Sequence, residues 1–511
     1  MNKFKCLFFS GLMAVMPACM NGQQTSSEDP SKPRVIITCD PELDDLNSLI
    51  RFLLFSTDFR VEGLIYASSQ FHWKGDGHGT KWYVPGREYS RNGIDYGPME
   101  SWRWDPEERF IDDAVEAYEE VYPNLRVHDP SYPTPEYLKS KIRIGNIEFD
   151  GDISKDTPGS ELIKAVLLDD CTDPVFINAW GGASTIARAL KSIQDIYEHT
   201  DAWKGIREKI IKKVVLSLSG DQDDTYARYI KPFWPELRQM EMGGMTVGLA
   251  YNAQLRASKE NQVFYSPEWM QENIRSKGPF GEMYRVWGDG KQMVKDDKFD
   301  FFGLSGYTVD ELKEQGYVVW TGVQPKGAYL ADTYCFLNLI GNGLRGHENP
   351  TYGGWCGGRT LLPDSVKNLP RMEQMKYRAE HYPLPDFTAP VMNGLAARFK
   401  WSVTPSYTDA NHEPVIKGAL AMNAKPGEKL KLKYTVTDPD KNVLAIKWWQ
   451  YVSAGTYRGK VAVDDPTSAN TAFTVPADAN PGDTIHLILE ATDNGTPQMN
   501  RYHRLIITVA E

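Results

Sequence analysis

The chain has 511 residues, of which 41% are hydrophobic, and its formal net charge is −11. This length exceeds what one ordinary hydrophobic core needs, so we expect two or three domains. The negative charge argues against a nucleic acid as the partner, because a phosphate backbone binds basic surfaces. The 14 Trp and 26 Tyr would suit stacking on sugar rings, but core packing accounts for them equally well.

Residues 1–24 are predicted to be an export signal, since two lysines precede an apolar run at residues 6–18 that is too short to cross a bilayer. Cleavage is expected either before Cys19, which would then carry a lipid, or near Gln23. A polar leader at residues 25–32 follows. The mature protein is therefore predicted to be periplasmic or at the cell surface, attached to a membrane only through the lipid on Cys19.

The first segment of the mature chain ends in a dense group of acids. A β-branched apolar run at residues 35–39 is followed by Asp40, Asp44 and Asp45, and apolar positions from residue 46 onwards repeat with helical spacing. Carboxylates this close repel each other unless a cation lies between them, and Ca²⁺ takes oxygen ligands of this kind. The alternative is that Asp44 and Asp45 cap the helix, which leaves Asp40 unexplained.

The same order of strand, polar turn and helix recurs further along the chain. This alternation is typical of parallel βαβ units and predicts a doubly wound, mostly parallel sheet, in which ligands bind at the carboxyl ends of the strands. Further strands are predicted at residues 59–68, 174–180 and 213–219. Helices are predicted at residues 112–122, at 162–168 with Ser160 as the cap, and at 184–193.

Polar side chains after two of these strands are candidates for substrate contacts. Gln70 lies near the start of a long aromatic loop at residues 69–91. The loop also contains His72 and His78, and we assign to these two histidines a surface role or a place in a lid over the cleft. Asp223 and Asp224 follow the fourth strand. Lining the cleft and capping a helix are alternative roles for these two acids.

The next part of the chain is harder to interpret. Residues 240–320 show no sustained periodicity, because Gly, Trp and charged residues interrupt it. Asp332 then stands at the head of an apolar segment, residues 333–340, that predicts a helix. Cys39 and Cys335 are interpreted as small core residues, with a bridge between Cys335 and Cys356 as the alternative.

The chain changes character near residue 400. Short alternating runs separated by turns occupy residues 429–436, 444–451, 470–474, 484–491 and 502–509. Their number and spacing predict an immunoglobulin-like β-sandwich. We therefore divide the mature chain into an α/β domain at 33–400 and a β domain at 401–511, in which Trp448 and Trp449 face opposite sides of one strand.

The acids at residues 40–45 resemble the signature that opens the inosine–uridine nucleoside hydrolases. Two later features are similar to that family as well: the Gly-Gly turn after Trp180, and Asp332 before an apolar segment. Over residues 33–511 the closer resemblance is to a secreted subfamily, the cellulose-binding Sde182-like proteins. These join a nucleoside hydrolase-like domain to a C-terminal β-domain.

The resemblance implies a Ca²⁺ site and a role for each acid. Asp40 would bind the metal and act as general base on a metal-bound water, and Asp45 would be a bidentate ligand. The main-chain carbonyl of Trp180 and the carboxylate of Asp332 would complete the protein ligands. Asp44 would hold a sugar hydroxyl, with Gln70, Asp223 and Asp224 as further substrate contacts.

The chain departs from the nucleoside hydrolases where that family holds the leaving group. Ala331 stands where the family has a His before its last Asp, and Ser69 or Gln70 replaces an Asn. The resemblance thus implies a Ca²⁺-dependent hydrolase of a glycosyl bond, N-ribosyl-like, that acts on a small glycoside or polysaccharide rather than an ordinary nucleoside. The alternative is a polysaccharide-binding protein in which the hydrolase scaffold has lost catalysis.

Overall fold

The computed structural model describes residues 31–241, 249, 251, 253–359 and 362–511. The predicted export signal and the candidate lipid site at Cys19 lie outside these residues and stay predictions. Within the described part of the chain, no helix combines the length and the apolar character that crossing a membrane requires.

The central element is a sheet of six parallel strands. They are β1 Arg34–Cys39, β2 Arg60–Tyr66, β3 Ile142–Ile144, β4 Val175–Ala179, β5 Val214–Leu218 and β6 Arg238–Gln239. Their spatial order is β3-β2-β1-β4-β5-β6, so the direction of winding reverses between β1 and β4. Every residue of β1 and β4 is buried, as expected for strands covered on both faces. The predicted doubly wound sheet is confirmed.

Helices cover both faces of this sheet. Those of the described residues are α1 Leu43–Leu54, α2 Phe110–His128, α3 Pro135–Lys139, α4 Pro158–Leu168, α5 Ser184–Tyr197, α6 Trp203–Lys213, α7 Lys231–Phe233, α8 Ala253–Arg256, α9 Pro267–Met270, α10 Gly278–Met283, α11 Val309–Glu314, α12 Asp364–Lys367, α13 Arg371–His381 and α14 Thr388–Ser402. Alternate residues of β1 enter two cores: Val35 and Ile37 pack in the core that contains α1 and α2, whereas Ile36 packs in the core that contains α4 and α5.

The cap of α4 differs from the prediction. Thr157, and not Ser160, is the cap residue, since its hydroxyl accepts the main-chain N–H of Ser160 at 3.2 Å. The hydroxyl of Ser160 in turn accepts the N–H of Thr157 at 2.8 Å. The helix therefore begins four residues before the predicted start, because this reciprocal pair satisfies two main-chain donors in its first turn.

The prediction of a helix at residues 333–340 is wrong. This segment forms only a 3₁₀ turn, Leu337–Leu339. The side chain of Asn338 accepts the N–H of Cys356 at 2.8 Å and donates to the carbonyl of Gly357 at 2.9 Å, which holds the segment against a distant loop. Cys335 and Cys356 are both free and buried, so no bridge joins them.

The C-terminal region is a β-sandwich. Its strands are β7 Val415–Lys417, β8 Ala421–Ala424, β9 Lys429–Lys433, β10 Thr435–Thr437, β11 Ala445–Gln450, β12 Asn470–Thr474, β13 Thr484–Thr492 and β14 Asn500–Val509. One sheet has the order β11-β13-β14-β8, and the pairs β9-β12 and β7-β10 face it. Leu432 and Phe473 of one layer share a core with Leu487 and Leu505 of the other.

The two regions pack tightly against each other. Trp448 points into the sandwich core, whereas the ring of Trp449 lies 6.3 Å from that of Phe387, which directly precedes α14. Arg504 on β14 is fully buried, and its guanidinium donates to the carbonyl of Leu344 at 2.6 Å and to that of Gly353 at 3.1 Å. The sandwich thus holds the loop that follows the last predicted site residue.

Candidate functional site

The acid turn after β1 lies at the switch point of the sheet. Asp40 follows β1 directly, and Trp180 follows the neighbouring strand β4. Asp45, in the first turn of α1, closes the turn, because its Oδ2 accepts the main-chain N–H of Asp40 at 3.1 Å. Its Oδ1 accepts the hydroxyl of Thr333 at 3.1 Å. Both carboxylate oxygens of Asp45 are therefore engaged by the protein.

Asp40 is fully buried beside a histidine from the aromatic loop. Its Oδ2 accepts the hydroxyl of Ser69 at 2.5 Å and lies 3.2 Å from Nδ1 of His72. His72 is itself fully buried, so neither the surface role nor the lid role that we assigned to it applies. Burial alone would raise the pKa of Asp40, but the hydrogen bond and charge of His72 lower it below its ordinary value.

Asp332 is fully buried as well, and an arginine balances its charge. Arg51, in the last turn of α1, donates to Oδ2 of Asp332 through Nη2 and, at 3.1 Å, through Nε. The hydroxyl of Tyr284 donates to Oδ1 at 2.9 Å, and that of Tyr329 donates to Oδ2 at 3.4 Å. Burial alone would lower the pKa of Arg51, but the charge of Asp332 raises it, so the guanidinium stays protonated.

The fourth predicted metal ligand, the carbonyl of Trp180, already has a partner. It accepts Nε2 of Gln222 at 2.8 Å. The indole ring lies among aromatic side chains, with centroid distances of 6.3 Å to Phe52 and 5.7 Å to Phe336. Trp180 therefore contributes its side chain to the core and its carbonyl to a hydrogen bond within the protein.

The predicted Ca²⁺ ligands already have partners within the protein. In the described part of the chain, one group of three His, Cys, Asp or Glu residues has ligand atoms within 4.8 Å of one another, and it joins Asp40 and Glu42 with His72. Neither Asp45 nor Asp332 belongs to it. Ca²⁺ takes about six to eight oxygen ligands. Each predicted ligand accepts a hydrogen bond from the protein, and Arg51 pairs with Asp332, so the Ca²⁺ site stays a prediction.

A cavity of about 480 Å³ lies at the carboxyl edge of the sheet. Glu42 and Asp44 follow β1, Phe71 follows β2, and Gln222 follows β5, so the ends of three strands of the sheet contribute to its lining. The remaining lining comes from residues 88–103 and 251–320. This is the position at which open α/β sheets bind ligands.

Part of the lining is charged. The charged residues are Glu42, Asp44, Glu88, Arg91 and Arg103. Arg103 is fixed in place, since its guanidinium donates to Glu88 at 3.0 Å and to Asp297 at 2.7 Å. Oδ1 of Asp44 is buried and has no hydrogen-bond partner among the described residues. Burial, together with the charge of Asp40, raises the pKa of Asp44 to about 7.

Another part of the lining is aromatic. Its members are Phe71, Tyr251, Phe299, Phe302 and Trp320. Trp320 is 50% exposed, and its ring centroid lies 4.8 Å from Tyr251 and 5.7 Å from Phe302. The guanidinium of Arg103 lies 5.3 Å from the ring centroid of Phe299. Aromatic faces beside fixed polar groups can receive the C–H face of a sugar ring and its hydroxyls together.

Gln70 and Asp224 do not belong to the cavity lining that we expected them to form. Oε1 of Gln70 accepts Nη1 of Arg91 at 3.3 Å, so its contact with the cavity passes through that arginine. Asp224 pairs with Arg87 at 2.9 Å, and its side chain is 51% exposed. Asp223, the third of these predicted substrate contacts, has a structural role instead.

Asp223 caps a helix. It is fully buried, its Oδ2 accepts the N–H of Ser184 at the start of α5 at 2.8 Å, and its Oδ1 accepts the hydroxyl of Thr225 at 2.6 Å. No oxygen remains for a substrate, which selects the capping alternative. The residue of this turn that faces the cavity is Gln222.

Among the residues of the site that sequence reasoning missed, three show why. His72 was interpreted as a surface residue, and Trp320 lies in the stretch without periodicity. Arg51 did carry a signal: together with Asn47 and Ser48 it forms a polar stripe at helical spacing beside the apolar stripe of α1. A buried arginine on such a stripe requires an acidic partner, which is Asp332.

Comparisons with known proteins agree with this architecture. The family model described as "Cellulose-binding Sde182, nucleoside hydrolase-like domain" matches residues 34–359, and the one described as "Cellulose-binding protein Sde0182, C-terminal domain" matches residues 429–509. The chain is also similar in fold to a solved nucleoside hydrolase-related hypothetical protein from Saccharophagus degradans that is associated with carbohydrate metabolism. The TM-score is 0.65 at 23% identity, over 94% of this chain and 100% of that one. No curated protein matches the chain.

Proposed function

Because the chain belongs to the family of cellulose-binding Sde182 proteins with a nucleoside hydrolase-like domain, we propose that its first domain binds a neutral saccharide at the carboxyl edge of the sheet. The observation that supports this most directly is the cavity lining, in which carboxylates lie beside aromatic rings. Cellulose, which appears in the name of the family, is a polymer of such sugars. The proposal requires no calcium.

The polar part of the lining suits sugar hydroxyls. Carboxylates are strong acceptors, and above its pKa of about 7 the ionised Asp44 would supply one in the cavity lining. Hydrogen bonds to other groups of the protein hold the guanidinium of Arg103 and the amide of Gln222 in fixed positions in the lining. Prearranged donors and acceptors reduce the entropy lost when a ligand binds.

The aromatic part of the lining suits the apolar face of a sugar ring. Trp320 lines the cavity with half of its side chain exposed, although a side chain as large as an indole is usually mostly buried. A nucleoside base would require a proton donor for the leaving group, and the position of that histidine in nucleoside hydrolases holds Ala331, which is buried and apolar. The site therefore favours a saccharide over a nucleoside.

Titration calorimetry on the full chain tests this proposal. Cellobiose and cellotetraose are expected to bind, whereas inosine and uridine are not. Asp44→Asn is expected to weaken saccharide binding by at least about tenfold. This is the lower end of the range expected when a hydrogen bond to a charged group is lost. Asp364→Asn, an exposed carboxylate on α12 outside the cavity lining, is the matched control and should bind as the wild type does. Equal affinities of the two variants would refute the proposal.

A second candidate function is hydrolysis of a glycosyl bond with Asp40 as the base. It is favoured by the position of Asp40, which has a carboxylate oxygen within 4.8 Å of one on Glu42 in the cavity lining. Its Oδ1 has no partner among the described residues. A water beside this carboxylate would pass a proton to it while the water oxygen attacks the anomeric carbon, the glycosidic bond breaks, and the leaving oxygen takes a proton from solvent.

Release of reducing ends from cello-oligosaccharides tests this second candidate. Asp40→Asn should abolish release while the saccharide affinity stays within about threefold, since Asp40 does not line the cavity. Binding without release by the wild type would leave the protein as a binding module. Release by Asp40→Asn at the wild-type rate would exclude Asp40 as the base.

A further inference from the structure

Two histidines that are distant in the chain meet where the α/β region joins the sandwich. His128 is the last residue of α2, and His412 lies between α14 and β7. Both are buried, and Nδ1 of His128 lies 3.0 Å from Nε2 of His412. Neither histidine lines the cavity of the candidate site. What this pair does is therefore a separate question from what the cavity binds.

The outer nitrogen of each ring faces a fixed acceptor. Nε2 of His128 donates to the carbonyl of Thr404 at 2.8 Å. Nδ1 of His412 lies 3.1 Å from both carboxylate oxygens of Asp440, which is in the turn between β10 and β11. The main-chain N–H of His412 donates to Oδ2 of the same carboxylate at 2.7 Å. Asp440 thus holds His412 on the sandwich, and His412 in turn contacts α2 through His128.

Aromatic rings cover the faces of both imidazoles. The ring of Tyr407 lies 3.8 Å from that of His412 at an interplanar angle of 6°. The ring of Trp401 lies 5.6 Å from His128 and 5.3 Å from His412. The carboxylates whose charges act on Tyr407 are those of Asp129, Asp438 and Asp440. Aromatic faces and nearby carboxylates both favour a positive charge on the pair.

The hydrogen bonds of the pair require one proton more than two neutral rings carry. A carbonyl and an ionised carboxylate can only accept, so the three contacts together need three N–H groups. Two neutral imidazoles supply two. Burial lowers the pKa of His128, which leaves the additional proton on His412, beside Asp440.

We propose that His128 and His412 together hold one additional proton, and that this proton makes the contact between the two regions sensitive to pH. With two additional protons, an N–H of each ring would point at the other across 3.0 Å. With none, one of the three contacts would set two acceptors against each other. The contact is therefore complete in a single protonation state, and it does not depend on the proposed saccharide site.

This proton count fixes how the stability of the contact depends on pH. Histidines of the unfolded chain have a pKa of about 6.5, so the two bind up to two protons below this pH and none well above it. The folded pair binds one. Below about pH 6.5 the unfolded chain binds more protons and stability rises with pH, whereas above it the folded pair binds more and stability falls. The loss at low pH belongs to His128, which is neutral when folded, and the loss at high pH to His412.

Urea unfolding of the full chain, followed by circular dichroism between pH 5 and 8, tests the proposal with two variants that keep a ring in the stack. The destabilisation by His128→Phe, measured as the ratio of its unfolding equilibrium constant to that of the wild type, should shrink about tenfold from pH 6.5 to pH 5. The destabilisation by His412→Phe should instead shrink about tenfold from pH 6.5 to pH 8. His199→Phe, at an exposed histidine outside the contact, is the matched control, and its ratio should be the same at every pH.

The variant at His412 decides the outcome. If its destabilisation shrinks towards low pH, as that of His128→Phe does, both rings are neutral in the folded protein and the proposal is overturned. If a variant does not fold, ¹⁵N NMR of the wild type with labelled histidine decides instead. At pH 7.5 the ring of His412 should show the shifts of an imidazolium and that of His199 the shifts of a neutral ring. Neutral shifts for both rings would overturn the proposal.

Discussion

Two groups of acids lie close together at the carboxyl edge of the sheet, and they differ in how far donors of the protein engage them. In the inner group, Asp45 and Asp332, every carboxylate oxygen accepts at least one hydrogen bond from the protein. The outer group, Glu42 and Asp44, lines the cavity, and an oxygen of Asp44 has no partner among the described residues. The comparison shows that acids on adjacent turns can serve opposite purposes, one holding the fold and the other facing a ligand.

The largest expected effect comes from breaking the inner group. Arg51→Met leaves Asp332 buried without its cation, which should reduce the free energy of unfolding by about 3–5 kcal/mol. Urea unfolding followed by circular dichroism measures this change. Arg109→Met, which removes an exposed pair with Asp113 on α2, is the control and should cost less than about 1 kcal/mol.

The double variant Arg51→Met, Asp332→Leu sharpens the same comparison. Replacing both charges by apolar side chains should recover most of the lost stability, because no uncompensated charge remains. If Arg51→Met is no more costly than Arg109→Met, the inner group does not depend on this ion pair.

The outer group is tested by removing its aromatic neighbour. Trp320→Ala should weaken saccharide binding about tenfold, since an exposed ring that stacks on the ligand is lost. Its stability should change little, because half of the side chain is already exposed. Phe233→Ala, equally exposed but on α7, is the matched control. Equal affinity of both variants in calorimetry would show that Trp320 is not part of the binding surface.

A smaller effect separates Asp223 from the outer group. Asp223→Ala removes the cap of α5 and should lower the free energy of unfolding by about 1 kcal/mol, or somewhat more because the site is buried. Saccharide affinity should not change. A selective loss of affinity would return Asp223 to the ligand site and weaken the distinction between structural and ligand-facing acids.

The smallest expected effect is that of calcium. Addition of 1 mM CaCl₂ or of EDTA should leave the thermal unfolding midpoint of the wild type unchanged, because Arg51 already neutralises Asp332. A ligand present at about 100 times its dissociation constant would stabilise the protein by about 2.7 kcal/mol. A saturable rise in the midpoint with calcium would break the comparison, since the inner group would then bind metal.

Much of the fold follows from local patterns. The apolar run of β1 and the helical spacing of α1 are contained within about twenty neighbouring residues, and both were predicted. The functional site was harder to predict from the sequence than the fold. Arg51 and Asp332 are 281 residues apart, and no spacing rule links them. Gln292 and Trp320 lie in a region held by loop contacts, for which the chain shows no helical or strand period.

The acid motif itself was found because three aspartates in six residues are a strong local signal. Its chemistry could not be read from that signal, since a carboxylate next to a metal and one next to an arginine look alike in sequence. The histidine beside Asp40 comes from 32 residues away, in a loop whose course depends on the packed structure. Partners, and not the acids, decide the role of each carboxylate.

The contacts of Arg504 have a consequence for how the protein can be divided. Cutting the chain before the sandwich would strip donors from the carbonyls of Leu344 and Gly353 and expose the apolar surface under Trp449. The C-terminal region is therefore not a detachable module carried on a linker. Heating should melt both regions in one cooperative transition, and an engineer who wishes to graft the cleft elsewhere must take the sandwich with it.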